Sequence, residues 1–402
     1  MDADYPTLHL RQGREFSLNT GHPWVFSGAF RELPADLPAG TVVDVVDSKG
    51  AWTARGYLNA RNSLAFRALT LDARETLDGG FFVRRVEQAM QLRRLLPTDV
   101  NAYRLIHAEA DFLPGLIVDR FDHWLVAQFH IAGAERHREQ ILDALERVTA
   151  PAGILVRDDI RVREREGLAA EGVSVARGEV PETIEIHEHG VRFLVDPWHG
   201  QKTGFFLDQR EKRAFVAAMA PHFATLLNCF AYTGGFALAA LARNPALSTV
   251  NVETSASALE LARRNYQLNG HDPARHEFAA LDVNRYLQTA IHEGRHFDLV
   301  VIDPPAFAKN LAQKERALRG YESLNTLAAR VVSPGGLLLT CSCSGAVTMD
   351  EFEAVVRQGL LRARRTAQLI ASFGPSLDHP TLPGFPEDRY LKALVFRLLA
   401  RT

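Results

Sequence analysis

Residues 224–238, ATLLNCFAYTGGFAL, run from a short apolar stretch into paired glycines and out into a second apolar stretch. An apolar run of this length bounded by turn residues reads as a buried strand, and the residues from Phe236 onward read as a helix. Between them, Gly234 and Gly235 let backbone approach a ligand closely. The wider segment 214–242 holds no Asp, Glu, Lys or Arg over 29 positions, more than the roughly 20 residues a membrane-spanning helix needs. Pro221, His222, Asn228 and the glycines interrupt it, so it reads as helix, turn, buried strand, glycine loop and helix.

Further along, apolar runs alternate with helical patterns: TVNVE (249–253), HEFAALD (276–282), FDLVVID (297–303), GGLLLTCSC (335–343) and YLKALVFRLL (390–399). Strands separated by helices of this length imply an α/β fold, a mostly parallel, doubly wound sheet with helices on both faces. Ligands of such sheets sit beyond the carboxyl ends of the strands. The residues there are the glycine loop, Glu253, Asp282, Asp303 and Cys343. Glu253 lies 18 residues after Gly235, close to the roughly 20-residue spacing at which an acid meets ribose hydroxyls. A pyrophosphate cofactor would want GxGxxG at the first turn, and AYTGGF lacks it. S-adenosylmethionine carries no phosphate; it needs close backbone for its amino-acid end, an acid for the ribose and a polar group for the adenine. The sequence offers those parts.

At 402 residues the chain is long enough for two or three domains. Its net charge of −2 gives no overall pull on nucleic acid, so any such binding must come from local patches. The three cysteines, 229, 341 and 343, form no CxxC pair. That argues against a disulfide framework or Cys-rich zinc site and for a reducing, cytoplasmic location. The N-terminus MDADYPTLHL has acids where a signal peptide has basic residues. Short alternating segments up to about residue 75 suggest a small β-rich domain. In it, Arg55, Arg61 and Arg67 follow one another with no acid between them and with Tyr57 and Phe66 interleaved. Phosphate contact with base stacking would use such a surface, and so would a solvated sheet face. A linking helix begins after Thr76, and strands and a helix up to about 185 form a compact middle domain. There, HAEAD (107–111), read as an edge strand, would need ligands opposite it to hold a metal, and no metal is expected. RDDIRVREREG (157–167), with four Arg and four acids, reads as a solvated, self-paired face. KNLAQKERALRG (309–320), with Lys309 and Lys314, is either a basic strip guiding RNA or the outer face of an amphipathic helix.

Longer motifs carry a resemblance: GQKTGFFLDQR (200–210), NCFAYTGGFAL, VETSASALELARRNYQLNG (252–270), DPPAFAK (303–309), RGYESLNTLAARVVSPGGLLLTCSCSG (319–345) and DHPTLPGFPEDRYLK (378–392). HPWVFSGAF (22–30), ARGYLNARNSLAFRAL (54–69) and LIHAEADFLPGLIVDRFD (105–122) extend it over essentially the whole chain. Together they resemble the cytosine-C5 methyltransferases of large-subunit ribosomal RNA, which carry an N-terminal PUA domain. The resemblance implies a PUA-like RNA-binding domain over 1–75, a linking helix and small α+β middle domain over 76–185, and a Rossmann-like class I methyltransferase domain over 186–402. It implies that Lys202, Gly204, Asp208, Gln209 and Arg210 lie against S-adenosylmethionine. By the same resemblance Tyr232, Thr233, Gly234, Gly235 and Phe236 wrap its methionine end, Glu253 takes the ribose, Asp282 is near the adenine and Asp303 borders the cofactor. Ribosomal RNA as partner and a homodimer are implied as well, with no membrane.

Cytosine C5 is too poor a nucleophile to attack a methyl sulfonium directly, whereas a thiolate adding to C6 makes the ring an enamine whose C5 is reactive. A thiolate near neutral pH requires lowering a Cys pKa from about 8.5, usually by positive charge or a helix N-terminus. The resemblance puts the nucleophile at Cys343, and its place at the carboxyl end of the GGLLLT strand, just before Gly345, agrees. Cys341, on the same side but deeper, and Cys229, in the first strand, read as packing. Asp303 is expected to hold the cytosine edge. Some RNA cytosine-C5 enzymes have a second thiol after the fourth strand, where DPPAF has none. The rival readings are an exocyclic-nitrogen RNA methyltransferase using DPP without a thiol, and a non-catalytic RNA-binding protein.

Overall fold

A strand buried on both faces has no polar side to show, and the apolar runs after residue 220 pair into one seven-stranded sheet. The computed structural model describes residues 5–308 and 310–400. The sheet's strands are β1 (Thr225–Cys229), β2 (Ser248–Glu253), β3 (Glu277–Ala280), β4 (Phe297–Ile302), β5 (Val332–Ser342), β6 (Ala367–Phe373) and β7 (Lys392–Leu398). Their order is β3-β2-β1-β4-β5-β7-β6. The first five are parallel, and β7 runs antiparallel to both β5 and β6. The helices are α1 (Arg210–Met219), α2 (Gly235–Leu241), α3 (Ala256–Leu268), α4 (Val283–His292), α5 (Lys314–Val331) and α6 (Met349–Arg362). Leu227, Val300 and Leu338 share one core with Leu287, Tyr321 and Phe352 from α4, α5 and α6. Side chains alternate across a strand, so the fully buried Leu226, Val301 and Leu339 face the opposite side. Strand order reverses direction between β1 and β4, which places the topological switch point there.

The uncharged run 214–242 resolves as α1, a short turn at Ala220–His222, β1, a loop and α2. Among the described residues no helix is long and apolar enough to cross a membrane.

This sheet belongs to one of two units, formed by His187–Leu194, Asp208–Ser376 and the chain from Arg389. The other takes in the chain up to Ile186 with Val195–Leu207 and Leu377–Asp388. It holds two five-stranded sheets. In spatial order one contains Thr7–His9, Thr41–Val46, Trp52–Leu58, Leu64–Thr70 and Trp24–Phe26. The second contains Val173–Gly178, Gly153–Arg157, Trp124–Phe129, Leu116–Phe121 and Ala102–His107. The linking helix, Phe81–Arg93, sends Phe82, Val86 and Ala89 into the core under this second sheet.

Two local readings are corrected here. HAEAD is no edge strand: the strand ends at His107 and Ala108–Asp111 turn. Asp111 takes both guanidinium nitrogens of Arg93, at 2.7 and 2.8 Å, and Glu109 accepts from the Trp24 indole at 2.8 Å. RDDIRVREREG is a solvated, self-paired face only in part: Asp159, Arg161, Glu164 and Arg165 are exposed and Arg157 pairs with Asp159 at 3.0 Å, but Arg163 and Glu166 go inside. Arg163 is 1% exposed and pairs with Glu135 at 2.9 Å and Asp158 at 3.1 Å, while the buried Glu166 accepts from Asn59 and Asn62 at 2.9 Å each. Asp158 within the segment and partners distant in sequence, Glu135, Asn59 and Asn62, let these charges go inside.

Helices α5 and α6 meet at Gly359, where a Cβ would lie 2.9 Å from the Glu322 carbonyl oxygen and 3.1 Å from Asn325 Cβ. Gly359→Leu therefore overpacks this crossing, and denaturant unfolding should show a loss of about 1–3 kcal/mol.

Candidate active site

Beyond β1 the chain turns through three residues of positive φ, Phe230 at 58°, Tyr232 at 46° and Gly234 at 82°. Only glycine takes this conformation freely, so the loop needs external ties. Ala231 N–H donates to Val252 O at 3.0 Å, and Tyr232 N–H donates to Glu253 Oε2 at 3.1 Å. Glu253 Oε1 is filled by Thr254 N–H at 2.8 Å, Thr254 Oγ1 at 3.1 Å and Ser255 N–H at 3.1 Å. Oε2 keeps room for further donors. Close by in sequence, the buried Thr233 hydroxyl has no hydrogen-bond partner among the described residues. A half-filled carboxylate oxygen and an unsatisfied buried hydroxyl in a glycine loop fit a ligand that brings hydroxyl and amino groups.

β4 delivers Asp303 one residue past its end, with Pro304 and Pro305 enforcing an extended exit. Gln209 Nε2 donates to Asp303 Oδ1 at 2.9 Å, which fixes that carboxylate.

At the end of β5, Ser342 and Ser344 are fully buried, so alternation turns the side chain of Cys343 the other way, and it is partly exposed. The Cys343 thiol donates to Pro304 O at 3.7 Å. Ser344 Oγ accepts from Ala308 N–H at 3.1 Å and lies 2.8 Å from the Tyr321 hydroxyl. Lys392 Nζ donates to Ser344 O at 2.7 Å and Val347 O at 2.6 Å. Cys341 and Cys229 are fully buried. Burial, and secondly the charge of Asp303, pushes the Cys341 thiol well above its usual pKa; burial does the same to Cys229. Of the three thiols, Cys343 alone reaches solvent.

A family model for S-adenosylmethionine-dependent methyltransferases matches residues 105–397, and one for PUA-like domains matches residues 8–71. The chain belongs to the S-adenosylmethionine-dependent methyltransferases. S-adenosylmethionine is the cofactor of this methyltransferase, its sheet is the Rossmann-like fold, and a PUA-like β domain precedes it. Over 399 residues it is 41% identical to Ribosomal RNA large subunit methyltransferase I of Salmonella schwarzengrund, covering 99% of this chain and 98% of the relative. The protein of the same name from Salmonella typhi is 41% identical over 397 residues, 98% of each chain. Among solved structures, a candidate SAM-dependent methyltransferase of Streptococcus mutans superposes with a TM-score of 0.83 at 21% identity, over 98% of this chain and 100% of that one. Another methyltransferase-like structure, complexed with SAH, gives 0.84 at 22% identity with the same coverage.

Within the methyltransferase, the sequence-selected residues fall into distinct surroundings. The structure brings Gln209 to Asp303, Tyr232 to Glu253, and Cys343 to the Pro304 carbonyl. Asp208 is buried and its Oδ2 accepts from the Tyr390 hydroxyl at 2.6 Å. Arg210 is buried in an ion pair with Glu188 at 3.4 Å. Gly235 and Phe236 open α2. Asp282 is exposed and caps α4, accepting from Arg285 N–H at 3.0 Å. Lys202 and Gly204 belong to the other unit. There, Lys202 is exposed with its ammonium 4.6 Å from the Phe206 ring centre. Gly204 sits at φ 126°, where a Cβ would lie 2.6 Å from Val195 Cγ1.

The basic residues chosen for RNA need correction. Arg55 is buried in a two-pronged contact with Asp44, at 2.8 and 2.9 Å. Arg67 pairs with Glu109 at 2.8 Å and Glu166 at 3.4 Å. Lys314 pairs with Glu351. The acids that hold them come from other elements, so the segment sequences do not show them. Arg61 is exposed; Lys309 lies outside the described residues. The residues that sequence reading missed are Tyr321, Ser344 and Lys392, although RGYESLN and DRYLK carried two of them in plain sight.

Glu253→Gln turns an acceptor-only group into one with a single oxygen for four donors. Calorimetric titration should show S-adenosylmethionine binding weakened by roughly tenfold, about 1.4 kcal/mol.

Proposed function

We propose that this chain methylates C5 of a cytosine in large-subunit ribosomal RNA through a covalent bond between Cys343 and C6. The observation that carries it is the thiol itself, partly exposed one residue past β5 and bonded to the backbone next to Asp303. The substrate class rests on the two Salmonella relatives and on the PUA-like domain.

The chemistry follows from these positions. Cys343 adds as thiolate to C6, and the electron pair displaced from the C5–C6 double bond makes C5 nucleophilic. Asp303, fixed by Gln209, holds the ring nitrogen or amino edge of the cytosine and shares a proton with it as charge develops there. Bound S-adenosylmethionine supplies an electrophilic methyl group on a positively charged sulfur. Loss of the C5 proton then restores the C5–C6 double bond and expels the Cys343 sulfur. The target base has to leave its stack to reach the Cys343 thiol. On the cofactor side, Tyr232–Phe236 wrap the methionine end, Glu253 Oε2 accepts from the ribose, Asp282 lies toward the adenine, and Asp208, Gln209 and Arg210 support it from the start of α1. On the RNA side, Arg61 and the segment holding Lys309 contact phosphate, and the division 1–75, 76–185 and 186–402 separates RNA capture from transfer. A homodimer, which rests on the sequence resemblance, is the expected assembly.

The test incubates the protein with S-adenosylmethionine and ribosomal RNA containing 5-fluorocytosine, whose C5 fluorine cannot leave as a cation. A protein–RNA adduct on Cys343, located by mass spectrometry, is the expected result, with Cys343→Ala giving neither adduct nor methyl transfer. Methyl transfer that survives in Cys343→Ala would favour the exocyclic-nitrogen reading.

A further inference from the structure

We infer that Lys392 is a positioning residue for this reaction, a fixed positive charge that stabilises the thiolate of Cys343. The inference deepens, and rests on, the reading of Cys343 as nucleophile. Lys392 opens β7 directly across from Ser342, the last residue of β5. Its side chain is buried behind the turn that carries the thiol, and two of its three N–H donors are spent on Ser344 O and Val347 O. That turn is closed by Val347 N–H donating to Ser344 O at 3.1 Å. The ammonium is thus tied to the residue next to Cys343 and cannot swing away.

Among the described residues no carboxylate lies within ion-pair distance of Lys392. A buried ammonium without a carboxylate is expensive, and burial brings its pKa down to about 8, with Cys343 and then Glu351 favouring the charged form. The attraction is mutual: what keeps Lys392 charged also favours the Cys343 anion. Tyr321 is a phenol whose pKa burial raises, Cys341 is a buried thiol, and Asp303, next to the Pro304 that accepts from Cys343, is a carboxylate opposing ionisation. Lys212, a second buried ammonium, on α1, interacts with Cys341 and is bonded to Asp208 O and Gly374 O. Because its pKa is lowered, Lys392 is charged below about pH 8 and its support of the thiolate fades above it.

The experiment measures alkylation of Cys343 in the intact protein by iodoacetamide as a function of pH, read by peptide mass spectrometry. In the unmodified sequence the midpoint is expected below the ordinary thiol value of about 8.5. Lys392→Gln, which keeps donors near the two carbonyls but removes the charge, is expected to raise the midpoint and slow alkylation at pH 7 about tenfold. Lys392→Arg, which keeps the charge, is expected to stay close to the original midpoint. A midpoint at or above 8.5 in the unmodified protein overturns the inference even if Lys392→Gln fails to fold, and a folded Lys392→Gln that alkylates like the original overturns it too. Methyl transfer by Cys343→Ala would instead sink the nucleophile assignment while leaving the alkylation comparison intact, so the two failures are distinguishable.

Discussion

The chain between Ser342 and Val347 is held from three directions, and the chemistry depends on that hold. Ser344 Oγ meets Tyr321 of α5 and the backbone of Ala308, while Lys392 of β7 binds the carbonyls of Ser344 and Val347. With Ser342 and Ser344 both buried, backbone alternation leaves the intervening side chain one direction to take. Cys343 is therefore presented at the rim by the packing of its neighbours, with its thiol on the Pro304 carbonyl. A site built on such ties has little reorganisation left to do when substrate arrives.

The same economy recurs on the cofactor side. Glu253 ties down a strained loop through Tyr232 and closes the turn into α3 through Thr254 and Ser255, yet retains acceptor capacity on Oε2. Gln209, selected from sequence as a cofactor residue, spends its amide on Asp303. Each of these side chains links the end of one element to another, so the catalytic geometry and the local fold stand or fall together. Cys341 shows the converse: two residues before Cys343 and inside β5, it is sealed in the sheet, where an anion would be unstable.

Much of the fold could be read in advance because apolar periodicity and turn residues are local signals. The uncharged stretch 214–242 divides at Pro221 and at Gly234–Gly235 as its letters suggest, and Glu253, Asp303 and Cys343 lie at the strand ends where the α/β pattern puts them. What escaped was pairing over distance. Arg55, Arg67 and Arg163 carry no sign in their own segments of the partners Asp44, Glu109, Glu166 and Glu135 that reach them from elsewhere, which leave Arg67 half-buried and Arg55 and Arg163 buried. Asp282 followed a strand as expected and proved to be a helix cap, a role its preceding-helix position would equally have suggested. Lys392 was quoted within a longer motif without being singled out, because a lysine opening a strand carries no mark of what lies across the sheet.

The most direct test of C5 chemistry follows the hydrogen that must leave. Large-subunit RNA labelled with tritium at C5 of cytosine is incubated with the protein and S-adenosylmethionine, and methyl incorporation and tritium release to water are measured together. The account predicts one tritium released per methyl group gained. Methyl groups gained with the tritium still on the ring would contradict it.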